Sequence, residues 1–255
     1  MNIIVCIKVV SSELVYQDTL EHDKYTINPY DLLALQNVVK LKEKGECNVS
    51  CISMGGDSIK YSLVRSMALG ADDVYWLKDD VFACSDTVAT TYILSEGIKN
   101  IDRHDLIVCG AESVDGETGQ VVFGLAERLN IPCITDVEEV IDFDDEYVVV
   151  KATNNEYCDT LKVKLPVLIS FKEFTIVSKK ISLIGLKHAQ RKTINIWNID
   201  DLKLDKAQCG IEGSRTKVLK VKSDFNKKNG ERIFGDSKEK VDVICQLIQG
   251  RTGGK

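Results

Sequence analysis

The sequence predicts an α/β fold: a doubly wound, mostly parallel sheet with an antiparallel extension and a C-terminal arm. Three observations carry this expectation. Short apolar runs rich in β-branched residues recur as far as Cys109, and they are too continuous to be strands with one wet face. Between them lie segments with apolar residues three and four apart, the period of a helix covering a sheet. After Pro132 the helices give way to strands with short connections, which suits antiparallel neighbours.

In order along the chain, Ile3 to Val10 reads as one buried strand. Residues 29–44 follow as a helix with Leu32, Leu35, Val38 and Val39 on one stripe. Asn28 suits its N-cap, Pro29 its first helical position and Asp31 its first turn, while Gly45 stops it. The unit then repeats. Asn48 to Met54 is a strand, and Asp57 to Leu69 a helix with Ile59, Leu63 and Met67 four apart, ended by Gly70. Val74 to Leu77 is a short strand, and Ser85 is placed to cap the helix after it. Asp105 to Cys109 is another strand, whose loop leads into a helix over Val121 to Leu129. The stretches CITDVEEVI, EYVVVKAT and LKVKLPVLISF read as the strands of the extension.

From about Ile194 the chain becomes polar and basic, and KSDFNKKNGERIFGDSKEK breaks all periodicity. A stretch with so little to bury gains order only by lying on another surface. KVDVICQLIQ is predicted as a docked helix, and RTGGK as an unstructured tail. These features divide the chain into an α/β domain over 1–193 and an arm over 194–255.

A formal net charge of -6 argues against nucleic acid or an anionic membrane as the main partner. No run approaches the roughly 20 apolar residues of a membrane span. The opening MNIIVCIKVV lacks the basic region and small-residue cleavage site of a signal peptide, so a cytoplasmic location is expected. Nine cysteines without a single C-x-x-C pair fit scattered reduced thiols rather than a zinc or iron–sulfur site.

In an open parallel sheet, ligands gather beyond the carboxyl ends of the strands. Three such ends carry distinctive residues: Lys8-Val9-Val10-Ser11, Met54-Gly55-Gly56, and the loop from Gly110 to Gln120. Asn28-Pro29-Tyr30-Asp31 opens a helix flanking the same region. Backbone N–H groups at glycine-rich turns and helix N-termini bind anions without any positive side chain, so the acids of the loop do not forbid a phosphate. Thr118 and Gln120 can add polar contacts, while Asp115 and Glu117 are candidates to cap the helix or bond a ribose. The same residues also fit a plain turn with an acidic helix start. Neither a P-loop nor a G-x-G-x-x-G after the first strand is present. His22 lies in a polar loop and His104 just before a strand; with His188 they are the only histidines, which leaves a nucleotide hydrolase without a convincing base. Asp115 and Glu117 as an acid–base pair are less expected than as solvated loop carboxylates.

The chain resembles the β subunit of electron-transfer flavoprotein, the ETF β/FixA family. The resemblance runs through MNIIVCIKVV, INPYDLLALQNVVKLKE, SMALGADDVYWL, VDGETGQVVFGLAERLNIP, LKVKLPVLISF and GIEGSRTKVLKV, and so covers most of the chain in order. It implies an adenine-nucleotide-hydrolase-like fold and a heterodimer whose α subunit carries a redox-active FAD, with the arm wrapping that subunit. It implies AMP, or a second FAD in electron-bifurcating members, in the β site. By motif match, the implied nucleotide-binding residues are Cys6, Asn28, Pro29, Tyr30, Asp31, Met54, Asp115, Gly116, Glu117, Thr118, Gly119, Gln120 and Val121.

KKISLIGLKHAQRKTI resembles the family's recognition loop, in which a leucine plugs into an acyl-CoA dehydrogenase-type partner. The matching residue is Leu183, flanked by Lys179, Lys180 and Lys187. An isolated leucine is otherwise expected in the core. In place of the V-P-D-T usual in bifurcating members, this chain has Val10-Ser11-Ser12-Glu13. The expected role is that of an electron carrier subunit that breaks no bonds itself; the alternative is a stand-alone adenine-nucleotide-binding regulatory module.

Overall fold

The computed structural model describes residues 1–15, 24–154, 157–172, 181–218 and 235–252. The chain begins with β1 (Asn2–Cys6), β2 (Val9–Ser11), the single-turn α1 (Ser12–Val15), β3 (Tyr25–Ile27) and α2 (Pro29–Lys40). Next come β4 (Asn48–Met54), α3 (Lys60–Leu69), β5 (Asp73–Leu77), α4 (Thr87–Lys99), β6 (Leu106–Gly110) and α5 (Gln120–Leu129). The extension is β7 (Cys133–Phe143), β8 (Tyr147–Asn154), β9 (Tyr157–Lys164) and β10 (Val167–Phe171). The remaining elements are α6 (Leu183–Ala189), β11 (Asn195–Trp197), α7 (Gly210–Gly213) and α8 (Ser237–Thr252).

One nine-stranded sheet runs β11-β5-β4-β1-β6-β10-β7-β8-β9. Pairings from β11 to β7 are parallel, and β7-β8-β9 form the antiparallel extension. The alternation along β1 explains its two-sided apolar run. Ile3 and Val5 face the core under α2 and α3, whereas Ile4 and Cys6 face the one under α4 and α5. Helices thus cover both faces, and the order of β4, β1 and β6 makes β1/β6 the point where the winding reverses.

The apolar run at the N-terminus is two strands and not one. Ile7 still donates to Ile52 O at 2.9 Å, but Lys8 N–H turns to the Asp31 carboxylate. Val9–Ser11 then pair antiparallel with Tyr25–Ile27 in a separate ribbon. Apolar periodicity cannot register such a break, because both strands bury similar residues. LKVKLPVLISF likewise divides at Leu165–Pro166 into β9 and β10. Asp86, not Ser85, caps α4: its side chain accepts from Val88 and Ala89 N–H, while Ser85 Oγ donates back to Phe82 O. Gly70 ends α3 as expected, at φ +125° with Val39 packed where a Cβ would lie.

Residues 1–217 form one compact unit and residues 218–255 another. Asn195–Trp197 join the sheet edge beside Tyr75–Leu77, so part of the polar stretch after Ile194 packs with the α/β domain. In the second unit KVDVICQLIQ lies within α8, where Val241, Ile244, Leu247 and Ile248 are all about half exposed. Residues 222–234 of the aperiodic stretch, and 253–255 of the tail, lie outside the described residues.

Candidate functional site

The carboxyl ends of β1 and β6 are joined by one buried side chain. Asp31, in the first turn of α2, accepts from Lys8 N–H at 2.8 Å through Oδ2 and from Gly110 N–H at 3.0 Å through Oδ1. Both amides lie just where the strands leave the sheet, so the carboxylate replaces ladder acceptors that no longer exist. Burial raises the Asp31 pKa to about 6, against the opposing pull of the Lys8 amide, the Asn28 side chain and the Gly110 amide.

Asn28 sits at the N-cap position of α2 but makes no side-chain cap. It is fully buried and turned to the loop after β6. Its Nδ2 donates to Glu112 O at 2.8 Å, and its Oδ1 accepts from Val114 N–H at 3.2 Å. Tyr30 OH donates to Glu112 Oε1 at 2.9 Å. Burial, then the Glu112 contact, raises the Tyr30 pKa to about 12, so the phenol stays a neutral donor. Asn28→Ala removes two of the contacts that hold the loop and is expected to destabilise the protein by about 2 kcal/mol. Thermal unfolding reads the loss, and faster exchange of the Val114 amide assigns it to the loop.

Lys8 Nζ pairs with Asp115 Oδ1 at 2.6 Å and donates to Ser113 Oγ at 3.2 Å. Partial burial pushes the Asp115 pKa up, but the Lys8 ammonium and the Ser113 hydroxyl outweigh it and hold it below the usual range. Half of Lys8 is exposed, so the pair stabilises little and is free to exchange partners. Each acid of the loop is thereby placed: Glu112 on Tyr30, Asp115 on Lys8, and Glu117 exposed in the turn at φ +49°. The expectation that Asp115 or Glu117 caps the next helix is corrected: Asp115 is held by Lys8, Glu117 lies exposed in the turn, and the N-cap position is Gly119, which has no side chain to offer.

The turn ends at Gly119, φ +61°, and α5 starts with Gln120. Among the described residues no side chain caps its first-turn N–H groups, which point out of the helix end, where the macrodipole favours negative charge. Thr118 and Gln120 are exposed beside them, and Val121 is half-buried. Thr87 Oγ1, at the start of α4, donates to Gln120 Oε1 at 3.0 Å. A Cβ on Gly110 would lie 2.5 Å from Tyr30 Cβ, so α2 approaches the loop as closely as a bare backbone allows.

The sequence-predicted residues therefore gather at the carboxyl ends of the central strands. Asn28, Tyr30 and Asp31 touch the loop or its entrance directly; Pro29 is buried behind them, and Gly116 lies in the exposed turn. Cys6 ends β1 and Met54 ends β4, on neighbouring strands. Cys6 is buried and shares a hydrogen bond with Cys109, which together with burial raises the Cys109 pKa well above normal. His104 lies at the opposite end of β6, His188 in α6, and His22 outside the described residues. Among the described residues no cluster of His, Cys, Asp and Glu could hold a metal. A depression of about 540 Å³ lies elsewhere, between Phe123 and Cys133 at the far end of α5, and none of the predicted residues lines it.

Lys8 stands in one of the strand ends that the sequence marks as distinctive, but nothing local pairs its ammonium with Asp115 and Ser113, more than a hundred residues away. The signal was its place directly after a strand that ends at the switch point. Leu183 opens α6 and is 79% exposed, with Ile184 beside it at 72%, so it is not a core leucine. Lys187 is exposed on the same helix, and Lys179 and Lys180 lie outside the described residues.

Residues 19–202 match the family model of the electron transfer flavoprotein domain. The electron transfer flavoprotein subunit beta of Clostridium acetobutylicum is 36% identical, with 98% of each chain covered. That of Thermoanaerobacterium thermosaccharolyticum is 35% identical over 88% of this chain and 86% of the relative. The caffeyl-CoA reductase-Etf complex subunit CarD of Acetobacterium woodii is 32% identical over 84% and 82%.

Proposed function

The chain belongs to the electron-transfer flavoprotein β-subunit family, and from that premise we propose that it is one half of a heterodimeric electron carrier that binds an adenine nucleotide at the switch point of its sheet. The single observation that carries the nucleotide reading is the uncapped N-terminus of α5, set behind a pinned glycine-rich turn with Lys8 beside it. The donor set fits the group. The α5 amides hold a phosphate, Lys8 releases Asp115 to add charge, and Thr118 and Gln120 supply neutral polar contacts. Asp31, Asn28 and Tyr30 act one layer back by fixing the strand ends and the loop. The nucleotide is AMP, or the adenylate half of a second FAD; a flavin supplies reversible electron uptake when bound.

The α subunit brings the redox FAD, and the C-terminal arm reaches that subunit. Support comes from α8, whose half-exposed Val241, Ile244, Leu247 and Ile248 need a covering surface. Nine free cysteines fit a reducing cytoplasm. No helix among the described residues is long and apolar enough to cross a membrane. Co-expression with a flavin-binding α-type subunit is expected to give a one-to-one complex in size-exclusion chromatography. A chain that stays monomeric beside that subunit would contradict the proposal.

Leu183 is the anchor for the electron-exchange partner, an acyl-CoA dehydrogenase-type flavoenzyme. A relative that is a subunit of a caffeyl-CoA reductase complex supports this class. An exposed apolar pair on a short helix is what an interface hot spot offers before docking, and Lys187 adds steering charge. Leu183→Ala is expected to slow transfer from the partner about tenfold, the effect of losing one hot spot, with nucleotide content unchanged. Unchanged stopped-flow rates would remove Leu183 from the interface.

A further inference from the structure

Beside the start of α4, the segment 205–216 is locked onto the loop 79–86. Asp79 Oδ2 accepts from Ile199 N–H at 3.1 Å just before it. Gly210 holds φ +53°, and a Cβ there would lie 2.0 Å from Val81 O. Gly213 is pressed as closely on Gln208. Ser214 is buried; its Oγ donates to Gly210 O at 2.7 Å and accepts from Asp86 N–H at 2.8 Å.

Asp86 divides its two oxygens between two tasks. Oδ1 caps α4, accepting from Val88 and Ala89 N–H at 2.9 and 3.0 Å. Oδ2 accepts from Arg215 N–H at 2.7 Å, Thr216 N–H at 2.9 Å and Thr216 Oγ1 at 3.1 Å. Partial burial pushes its pKa up, yet these hydrogen bonds outweigh that and hold it at about 2, so the carboxylate is charged throughout the physiological range. The next residue, Thr87, bonds Gln120 at the first position of α5.

We propose that Asp86 is a positioning residue that couples the nucleotide site to the latch at 210–216, from which the C-terminal segment departs. The proposal rests on the nucleotide reading of the α5 turn. A phosphate on the α5 amides fixes the first turn and Gln120, Gln120 fixes Thr87, and Thr87 sits on the cap whose other oxygen grips residues 215 and 216. Coupling of this kind is reciprocal: the seated latch tightens the nucleotide as much as the nucleotide tightens the latch.

The test uses the co-expressed heterodimer stripped of its β-site nucleotide, titrated with AMP and followed by hydrogen exchange. In the native protein AMP is expected to slow exchange at the Arg215 and Thr216 amides by about tenfold, within the ordinary range of coupling between sites. Asp86→Asn keeps an oxygen for the α4 cap but turns an N–H₂ toward the latch amides, which then lose their acceptor. Its latch should exchange fast and ignore AMP, and its AMP affinity should fall about tenfold, again an ordinary coupling. Thr87→Val leaves the latch bonds in place, so basal protection should persist while the AMP response disappears. A structural role alone would not move that response. Native protein that binds AMP with no change at residues 214–216, or an Asp86→Asn variant with native AMP affinity, would overturn the coupling alone. Protein that binds neither AMP nor FAD would overturn the nucleotide reading with it.

Discussion

Replacing Gly110 with alanine is expected to destabilise the protein by about 3 kcal/mol or more, at the upper end for an overpacked site. The new Cβ would stand 2.5 Å from Tyr30 Cβ, 2.6 Å from Asp31 Oδ1 and 2.7 Å from the Tyr30 carbonyl carbon. Two of these three neighbours cannot swing aside, because one is backbone and the other is fixed to it. Either α2 moves off β6 or the strand end shifts, and both break the bond from Gly110 N–H to Asp31. For a domain of this size the loss corresponds to a fall of roughly 6–12 °C in melting temperature. A calorimetric midpoint within 2–3 °C of native, about the shift for 1 kcal/mol, would show that the contact between α2 and the loop is looser than described.

Asp31→Ala is expected to cost about 2–5 kcal/mol, because it leaves Lys8 and Gly110 N–H buried without their acceptor. The native carboxylate also leaves a signature in pH. Its folded pKa of about 6 lies above the ordinary value of 3.8, so the folded state binds the proton more tightly than the unfolded state. The stabilisation is therefore fully present below pH 3.8 and is lost as pH rises through about 6. Two pKa units correspond to about 3 kcal/mol at most. Subtracting the profile of Asp31→Asn, which cannot titrate, should isolate this component in denaturant midpoints between pH 4 and 7. Parallel profiles for the two proteins would refute the raised pKa. Gly110→Ala and Asp31→Ala act on the same contact, so together they should cost less than their sum.

Much of this architecture was legible in residues alone. β4 has the bounds its apolar run predicts, and α5 starts within a residue of expectation, because both elements answer to local period and to glycine or asparagine stops. The N-terminal run failed for a physical reason. Ile3 to Val10 is equally apolar on either side of Lys8, and only the distant Asp31 carboxylate decides where the strand leaves the sheet. Asn28 looked like a helix cap, and its position is that of one, but Glu112 and Val114 compete for its side chain and win. Asp86 was passed over for Ser85 because both are good caps; its second oxygen, spent on residues 215 and 216, is a long-range contact that no local window shows. That the candidate residues meet at one end of the sheet was legible in outline, because carboxyl ends of parallel strands and helix N-termini are local signals. Their wiring was not, because the bonds by which Lys8, Asn28, Tyr30 and Asp31 hold the loop and its entrance join residues far apart in sequence.

The central claim is that this chain holds an adenine nucleotide at the α5 turn inside a flavin-containing heterodimer. The most direct measurement is the nucleotide content of the purified heterodimer, released by denaturation and counted per β chain. One AMP, or one FAD beyond that of the α subunit, is the predicted result; the first marks a simple carrier and the second a bifurcating type. A heterodimer that yields the FAD of its α subunit and no second nucleotide would contradict the account.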